Sequence, residues 1–547
     1  MQNTNSDKLS NLNLLIDYLK TNSFEKFFST LSEIDVTKYP EFDFTKMVSV
    51  CFYHMVNNLD IKECFKILQI SVKKTKFLEN AILNQIEIFY GIHPKERTRI
   101  LDHYKAIALF ESRYTEDAIN ILLNLIQNYP HITCLYNNLI IFSKYSDKLD
   151  EATLSKFTTF YYKHIKDNAE LSAMREQLKS FTPELECTDI LTIGFVSGDI
   201  KDHPVFYFLL NLLEELFVKN CKIFIYVNNP PNPHSELLKK LSHKVIYVEN
   251  LSDYELATNI KLDNIQILFD LSAHSPGNRL KTFALKPAPV QLSYLGFINS
   301  TGLEQIDYKV SAKYFHEKED TSVYHEQLML TEHELSFPSN LFTHLQKIEK
   351  GTTRKYEDEV ILGAYSNSKK LNNLVLSTWA EIMSEAPKTK IIISNYGIRS
   401  LVERNNIELI FDKFGVDKSR IQFELPSNKE NYIKRFNRTD IALDPFPYTG
   451  STTTHETLLM GVPIITLAGN EVRNRLSADV LRRLNLNEFI TYTINDYKKT
   501  VIELANSPKR IEHYKNTLAG MYINYSQKSK NKFADELYSR IIEITRK

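Results

Sequence analysis

Cysteine, tryptophan, glycine and net charge are all scarce in this chain, and each shortage narrows what it can be. The five cysteines (Cys51, Cys64, Cys134, Cys187, Cys221) are scattered and form no Cys-x-x-Cys pair. That leaves neither a disulfide framework nor a zinc site suggested. No uninterrupted apolar run approaches the roughly 18 residues a membrane-spanning helix needs. The opening stretch MQNTNSDKLSNLNLL has no basic segment followed by an apolar core, so no secretory signal is read. Basic and acidic residues balance at 67 each, which removes the electrostatic footprint of a nucleic-acid binder. A reducing cytoplasm is the simplest compartment for such a chain.

What remains is a soluble globular composition, 43% apolar and 24% charged, in a chain long enough for three or more domains. Residues 1–185 hold few Gly or Pro and repeat helical spacing, as at Leu14, Leu15, Tyr18 and Leu19 and at Ile119, Leu122, Leu123 and Ile126. The segment Ala106–Pro130 has small residues at Ala106, Ala108 and Ala118, Tyr114 between them, and a closing Pro130. It resembles one degenerate tetratricopeptide repeat, although any helical hairpin shares this pattern.

From Asp189 onward, apolar strand-like runs alternate with amphipathic helices, as in ILTIGFVS (190–197), KIFIYV (222–227), KVIYV (244–248), IQILFDLS (265–272) and VQLSYLG (290–296). After a linker near Leu345–Glu357 the alternation resumes with VILGAYS (360–366), KIIISNYG (390–397), RIQFE (420–424), DIALD (440–444) and PIITLA (463–468). Such alternation predicts parallel sheets covered on both faces. The reading is therefore an all-helical domain (1–185), two doubly wound α/β domains (186–350 and 351–525) with a ligand cleft between them, and a closing helix (526–547) around Asn531–Thr545.

The most informative stretch is LDPFPYTGSTTTHETLLMGVPIITLAG, Leu443 to Gly469. It reads as a strand end, a tight loop, a helix opened by Ser451, Thr452, Thr453 and Thr454, and a second apolar strand. A helix N-terminus presents backbone N–H groups and hydroxyls to an anion. Glu456 lies early on the same helix, where a carboxylate can accept hydrogen bonds from a ribose diol. A diphosphate and a sugar side by side imply a nucleotide-sugar; the plainer alternative is an ordinary hydroxyl-rich helix cap.

Three further blocks fall at strand ends. In IGFVSGDIKDHPVFYFLLNLLEEL, His203-Pro204 opens a helix, and an imidazole there is either a base or hydrogen-bond partner in the cleft or a helix-entry contact. ILFDLSAHSPGNRLKTFALKPAPVQLSYLGFINSTGL carries His274, which lines a sugar pocket or bonds within its turn, and a Pro-Ala-Pro that stiffens entry to the next strand. YSNSKKLNNLVLSTWAEIM brings Asn367, Lys369 and Lys370 onto a loop, either as a phosphate clamp or as solvated lysines.

Together these four blocks, from about Leu191 to Leu484, resemble the O-GlcNAc transferase and SPINDLY family of nucleotide-sugar-dependent protein glycosyltransferases. The resemblance implies a GT-B architecture and an inverting transfer of one sugar (GlcNAc, another hexose or fucose) from a nucleoside diphosphate donor, UDP-linked by preference, to Ser or Thr of a protein acceptor. It implies His203 as catalytic base, Lys370 at the leaving diphosphate and Asn367 beside the nucleotide. Ser427, Asn428 and Lys429 in LPSNKENYIKRF match the nucleotide-contacting segment. Tyr432 stands where a base-stacking His occurs in animal members, and Arg435 adds charge nearby. Ser451, Thr452, Thr453 and Glu456 would hold diphosphate and ribose, while His274, Gln291 and Asn299 would border the sugar or acceptor. Ile298 and Asn299 depart from the frequent GYPGTTG form, and Ser451 and Ser477 replace residues usual in the family. Ile298, Ser451 and Ser477 favour the alternative, an inactive scaffold binding proteins through its helical arm. No Asp-x-Asp pair occurs, so lysine and helix dipole would replace the usual metal clamp, and no cofactor is expected.

Overall fold

Apolar spacing and caps account for the first helices. The computed structural model describes residues 99–181, 190–316, 323–334, 359–395, 397–399, 401–425 and 429–546, with Tyr18, Lys26 and Thr30. Helices α1 (Arg99–Glu111) and α2 (Thr115–Asn128) form the hairpin expected over Ala106–Pro130. Ala106, Ala108 and Ala118 are buried, and α2 also turns Ile119, Leu122 and Leu125 inward. Helices α3 (Thr133–Ser143), α4 (Glu151–Lys166) and α5 (Ala169–Ser180) follow. Asp150 and Asn168 cap α4 and α5 by accepting the N–H of Thr153 and of Leu171, each at 2.9 Å. Leu14, Leu15 and Leu19, the junction at 185/186 and the linker near Leu345–Glu357 lie outside the described residues.

The α/β region opens with β1 (Leu191–Ser197), α6 (Pro204–Phe217), β2 (Cys221–Val227), α7 (Ser235–Lys240) and β3 (Lys244–Tyr247). It continues through α8 (Asp253–Leu262), β4 (Ile267–Asp270), α9 (Leu280–Ala284), β5 (Val290–Ser293), β6 (Tyr308–Ala312) and β7 (Gln327–Thr331). The sheet order is β3-β2-β1-β4-β5-β6-β7, parallel throughout. Every residue of β1 is buried, as a strand covered on both faces requires. The direction in which successive strands are added reverses between β1 and β4, so the loops after these two strands border the crevice where such sheets take ligands. Strands β6 and β7 were not anticipated, because Lys309 and Gln327 break the apolar runs.

The second alternating set comprises β8 (Val360–Ala364), α10 (Asn373–Glu385), β9 (Thr389–Ile393), α11 (Leu401–Asp412), β10 (Ile421–Phe423), α12 (Lys429–Lys434) and β11 (Ile441–Leu443). It ends with α13 (Thr452–Leu459), β12 (Ile464–Leu467), α14 (Leu476–Arg483), β13 (Ile490–Thr491), α15 (Ile494–Ala505) and α16 (Pro508–Thr545).

The described residues fall into two compact units. One gathers those up to Pro130 with Asn367–Ala380 and those from Ile393 towards Pro426. The other spans His131–Ser366, Glu381–Ile392 and Ser427–Lys547. Within this larger unit lie the first sheet and the run β9-β8-β11-β12-β13 of the second, with β8, β11, β12 and β13 pairing in parallel.

Helix α16 is 38 residues long and begins well before the closing helix read at Asn531. Its first half lies on α13: a Cβ at Gly461 would meet the Lys515 carbonyl at 2.9 Å, at a φ of 73° that suits glycine alone. Its second half holds α6 and β7. Asp535 pairs with Lys219 at 2.5 Å, Lys530 with Glu214 and Glu215 at 3.1 Å, and Glu536 accepts the N–H of Glu332 at 2.9 Å. Gly520, exposed near the middle, has nothing within 4 Å of where a Cβ would stand. Among the described residues no helix is long and apolar enough to cross a membrane, and no cluster of three or more His, Cys, Asp or Glu could hold a metal ion.

Candidate functional site

In the larger unit, two helices begin at one cavity of about 120 Å³. Pro204, Val205 and Phe208 of α6 form one side, Ser451, Thr452 and His455 of α13 another, and Phe297, Ile298 and Lys309 close it.

The α13 entrance is set by the loop before it. The Gly450 N–H donates to Asp444 Oδ1 at 2.7 Å, and the other oxygen of Asp444 accepts from the Thr466 hydroxyl at 2.6 Å. A Cβ at Gly450 would stand 2.7 Å from the Thr454 hydroxyl and 2.9 Å from Asp444, so only glycine fits. Ser477 donates to the Gly450 carbonyl at 3.0 Å and shares a 2.7 Å bond with Thr454. The serine that departs from the family pattern thus pins loop to helix. Ser451, at the N-cap, makes no side-chain bond to the helix, and its carbonyl accepts from Thr454 and His455 at 3.0 and 3.2 Å. Its hydroxyl therefore leaves the first-turn N–H groups, with their partial positive charge, unspent by a cap. His455 is buried, 2.8 Å from the Tyr522 hydroxyl, and burial pushes its pKa down to about 3. Ile298 packs beside the cluster of Ala312, Phe315, Val472 and Leu476.

The α6 entrance is built differently. His203 is its N-cap: Nδ1 accepts the Val205 N–H at 3.4 Å, with Pro204 in the first helical position. Asp199, buried at the end of the β1 loop, places Oδ1 3.8 Å from the same nitrogen. The His203 side chain is 39% exposed. The ring is therefore oriented through Nδ1, whose bond from the Val205 N–H places the neutral ring's own proton on Nε2.

Glu456 is buried on α13, where the Tyr432 hydroxyl donates to it at 2.7 Å. Burial, then the Glu456 charge, raises the Tyr432 pKa. Arg435 is 2% exposed, its guanidinium 3.5 Å from the Tyr432 ring centre and 4.3 Å from that of Tyr365. It covers one ring face and props the phenol against the carboxylate. Thr453 lies half-buried beside Thr452.

Other anticipated residues fall elsewhere. Gln291 is fully buried and donates to the carbonyls of Phe283 and Gln305 at 2.9 and 2.7 Å, away from the cavity. His274 bonds neither in its turn nor to the cavity: its Nδ1 lies 2.8 Å from Asn137 of α3, with Tyr161 edge-on. Burial, then the charge of Lys144, lowers its pKa to about 3, so the ring is neutral. Asn299 donates to Glu151 of α4 and borders a second, smaller cavity with Lys144 and Ser300. Ser427 and Asn428 lie outside the described residues, and of Lys429 the structure describes only the backbone of α12.

In the smaller unit, Asn367 caps the single 3-10 turn Ser368–Lys370, its Oδ1 accepting the Lys369 N–H at 3.1 Å. Lys370 is partly buried at the end of that turn, and Lys369 pairs with Glu111 at 2.8 Å.

Sequence reasoning passed over Lys309. Its ammonium is 1% exposed, donates to the Phe297 carbonyl at 2.5 Å, and is lowered to about 8 by burial against the pull of Glu326 and Asp270. It also passed over Arg473, whose guanidinium donates to the carbonyls of Lys144, Ser146 and Leu149 at 2.9, 2.9 and 2.5 Å. A lysine inside an apolar strand was the available signal for the first; the second had none.

The family model for glycosyl transferase family 41 matches residues 169–359 and 346–527. A barley (Hordeum vulgare) protein, "Probable UDP-N-acetylglucosamine–peptide N-acetylglucosaminyltransferase SPINDLY", is 25% identical over 345 residues, covering 61% of this chain and 36% of its own. Its Arabidopsis thaliana counterpart is 26% identical over 58% of this chain and 35% of its own length. Both matches thus span about a third of the relative. In fold, the chain resembles a mutant of the Thermobaculum terrenum O-GlcNAc transferase, with a TM-score of 0.78 at 22% identity over 98% of both chains. The architecture is GT-B, two doubly wound domains preceded by helices.

Proposed function

The chain belongs to glycosyl transferase family 41, and from that premise we propose a protein glycosyltransferase that moves one sugar from a nucleoside diphosphate sugar to Ser or Thr of a polypeptide. The sugar is GlcNAc by preference, with another hexose or fucose as the alternatives, and UDP is the favoured carrier. The observation that carries this reading is the shared cavity, onto which the uncapped start of α13 and the histidine-capped start of α6 both open.

In the proposed reaction the acceptor oxygen attacks the anomeric carbon from the face opposite the diphosphate, and the bond to the leaving phosphate oxygen breaks with inversion. The hydroxyl proton passes to His203 Nε2 of the tautomer whose Nδ1–H turns from the Val205 N–H to Asp199, and that carboxylate stabilises the imidazolium. The N-terminus of α13, with Ser451, Thr452 and Thr453, would hold the diphosphate by backbone donors and dipole. Glu456, already set by Tyr432, would take the ribose diol. Asn367, Lys370, Ser427, Asn428 and Lys429 enter on their motifs: Lys370 as the cation that neutralises the leaving group, the others at the nucleotide. No divalent metal is required by this arrangement. The helical arm suits a polypeptide acceptor.

The test incubates the full chain with UDP-GlcNAc, UDP-glucose and GDP-fucose, with and without chelator, and measures released nucleotide. Intact mass of candidate acceptors co-expressed with the chain is measured in parallel. The expected result is release from one donor, undiminished by chelator, with one sugar mass added to the acceptor. Release from none of the three, with no acceptor modified, overturns the proposal in favour of the scaffold.

A further inference from the structure

The turn joining α1 to α2 uses a residue its backbone disfavours. Arg113 sits at φ 68°, with its N–H on the Phe110 carbonyl at 3.1 Å and the Tyr114 N–H on the Leu109 carbonyl at 2.8 Å. This is a helix end closed by a left-handed residue, where glycine carries no steric penalty and arginine does. Such a choice calls for a reason in the side chain.

The reason lies in the loop of Lys370. Arg113 Nη1 donates to the Leu371 carbonyl at 2.5 Å, and Nη2 pairs with Glu403 of α11 at 2.6 Å, both side chains being largely buried. Two residues earlier, Glu111 pairs with Lys369 at 2.8 Å, and the Lys369 ammonium lies 5.1 Å from the Phe110 ring centre. The single turn Ser368–Lys370 is too short to hold its own shape. One hairpin turn therefore grips the residue on each side of Lys370.

We infer that Arg113 and Glu111 are positioning residues that fix the Lys370 ammonium for the transfer step. The inference rests on the reading of Lys370 as the leaving-group cation; the contacts themselves do not. Neither residue is asked to touch substrate, so their effect is on where the lysine points.

The test uses Arg113→Gly, because glycine suits φ 68° and keeps the shape of the turn while removing the grip. UDP binding is measured by calorimetry, and UDP-GlcNAc turnover with water or acceptor by nucleotide release. Arg113→Gly should weaken UDP binding and lower kcat by about 10-fold or more, since small misplacements of a reacting group are costly. Its melting temperature should fall, because buried Glu403 loses the Arg113 guanidinium, so both readouts are taken well below it. Glu111→Lys and Lys369→Glu should each lower kcat, and the double exchange should restore it, which a merely structural loss would not allow. Parent-like UDP binding and turnover in Arg113→Gly would overturn the inference. Lys370→Ala separates the two ideas. If it is inactive while Arg113→Gly is normal, only the positioning role falls; if it turns over normally, the reading of Lys370 falls. A parent chain that binds neither UDP nor GDP sinks both.

Discussion

Helices α6 and α13 open on the same cavity but spend their first turns in opposite ways. The α6 start is closed by His203, whose ring accepts a helix N–H and stays partly exposed. The α13 start has a serine that does not cap, and its own histidine, His455, is sunk against Tyr522. One helix has used its N-terminal donors on itself and shows a titratable ring. The other has hidden its ring and leaves its first turn without a side-chain cap. Proximity to a cavity therefore does not decide whether a histidine can exchange a proton with a ligand; burial and hydrogen bonding do.

This contrast can be broken from either side. The largest expected effect is at His203→Asn, which retains a good N-cap but no base: turnover should fall by about 10²–10⁴-fold with the melting temperature unchanged. Nucleotide release at near-normal rates would reduce His203 to a cap. Next, Ser451→Asp supplies the cap that α13 lacks and puts a carboxylate where the diphosphate is to sit. Helix stability should rise by about 1 kcal/mol while UDP affinity drops by roughly 100-fold. Unaltered affinity by calorimetry would show the anion binds elsewhere.

A smaller effect belongs to Asp199→Asn. Turnover should fall about 10-fold, the worth of one hydrogen bond to a charged group, and the acidic limb of the pH–rate profile should move to lower pH as the imidazolium loses its carboxylate. An unmoved limb would exclude Asp199 from the pair. The last concerns the stability of the fold rather than turnover, through His455, whose folded pKa of about 3 lies below the ordinary 6.5. Between these values the unfolded chain binds the extra proton, so stability falls as pH drops from 6.5 towards 3, by at most about 1.4 kcal/mol per pH unit from this group. His455→Gln should flatten part of that slope in urea titrations between pH 4 and 7, and His274, shifted alike, should keep the remainder.

Local chemistry was legible in the chain and tertiary chemistry was not. The Gly450–Thr454 run announces a helix entrance because glycine and hydroxyl residues act within a few positions of themselves. The buried strands announce themselves by continuous apolar runs. Strand β13, two residues long, is below what any pattern carries. The burial of Arg435 was not legible, because a helix wheel cannot foresee that Tyr365, far off in sequence, lies across its guanidinium. Gln291 matched a motif, yet the carbonyls it ties belong to segments brought together only by folding. Asp199 and His203 were four residues apart in plain view, but a loop gives no periodicity from which to read that they face each other.

Helix α16 runs unbroken for 38 residues, roughly 57 Å, with α13 against its first half and α6 and β7 against its second. A rod tied at both ends resists stretching far more than it resists torsion. Any hinge motion in the larger unit would be steered towards swivelling about that axis, with Gly520, exposed and with open space where a Cβ would stand, the point at which the rod bends most cheaply.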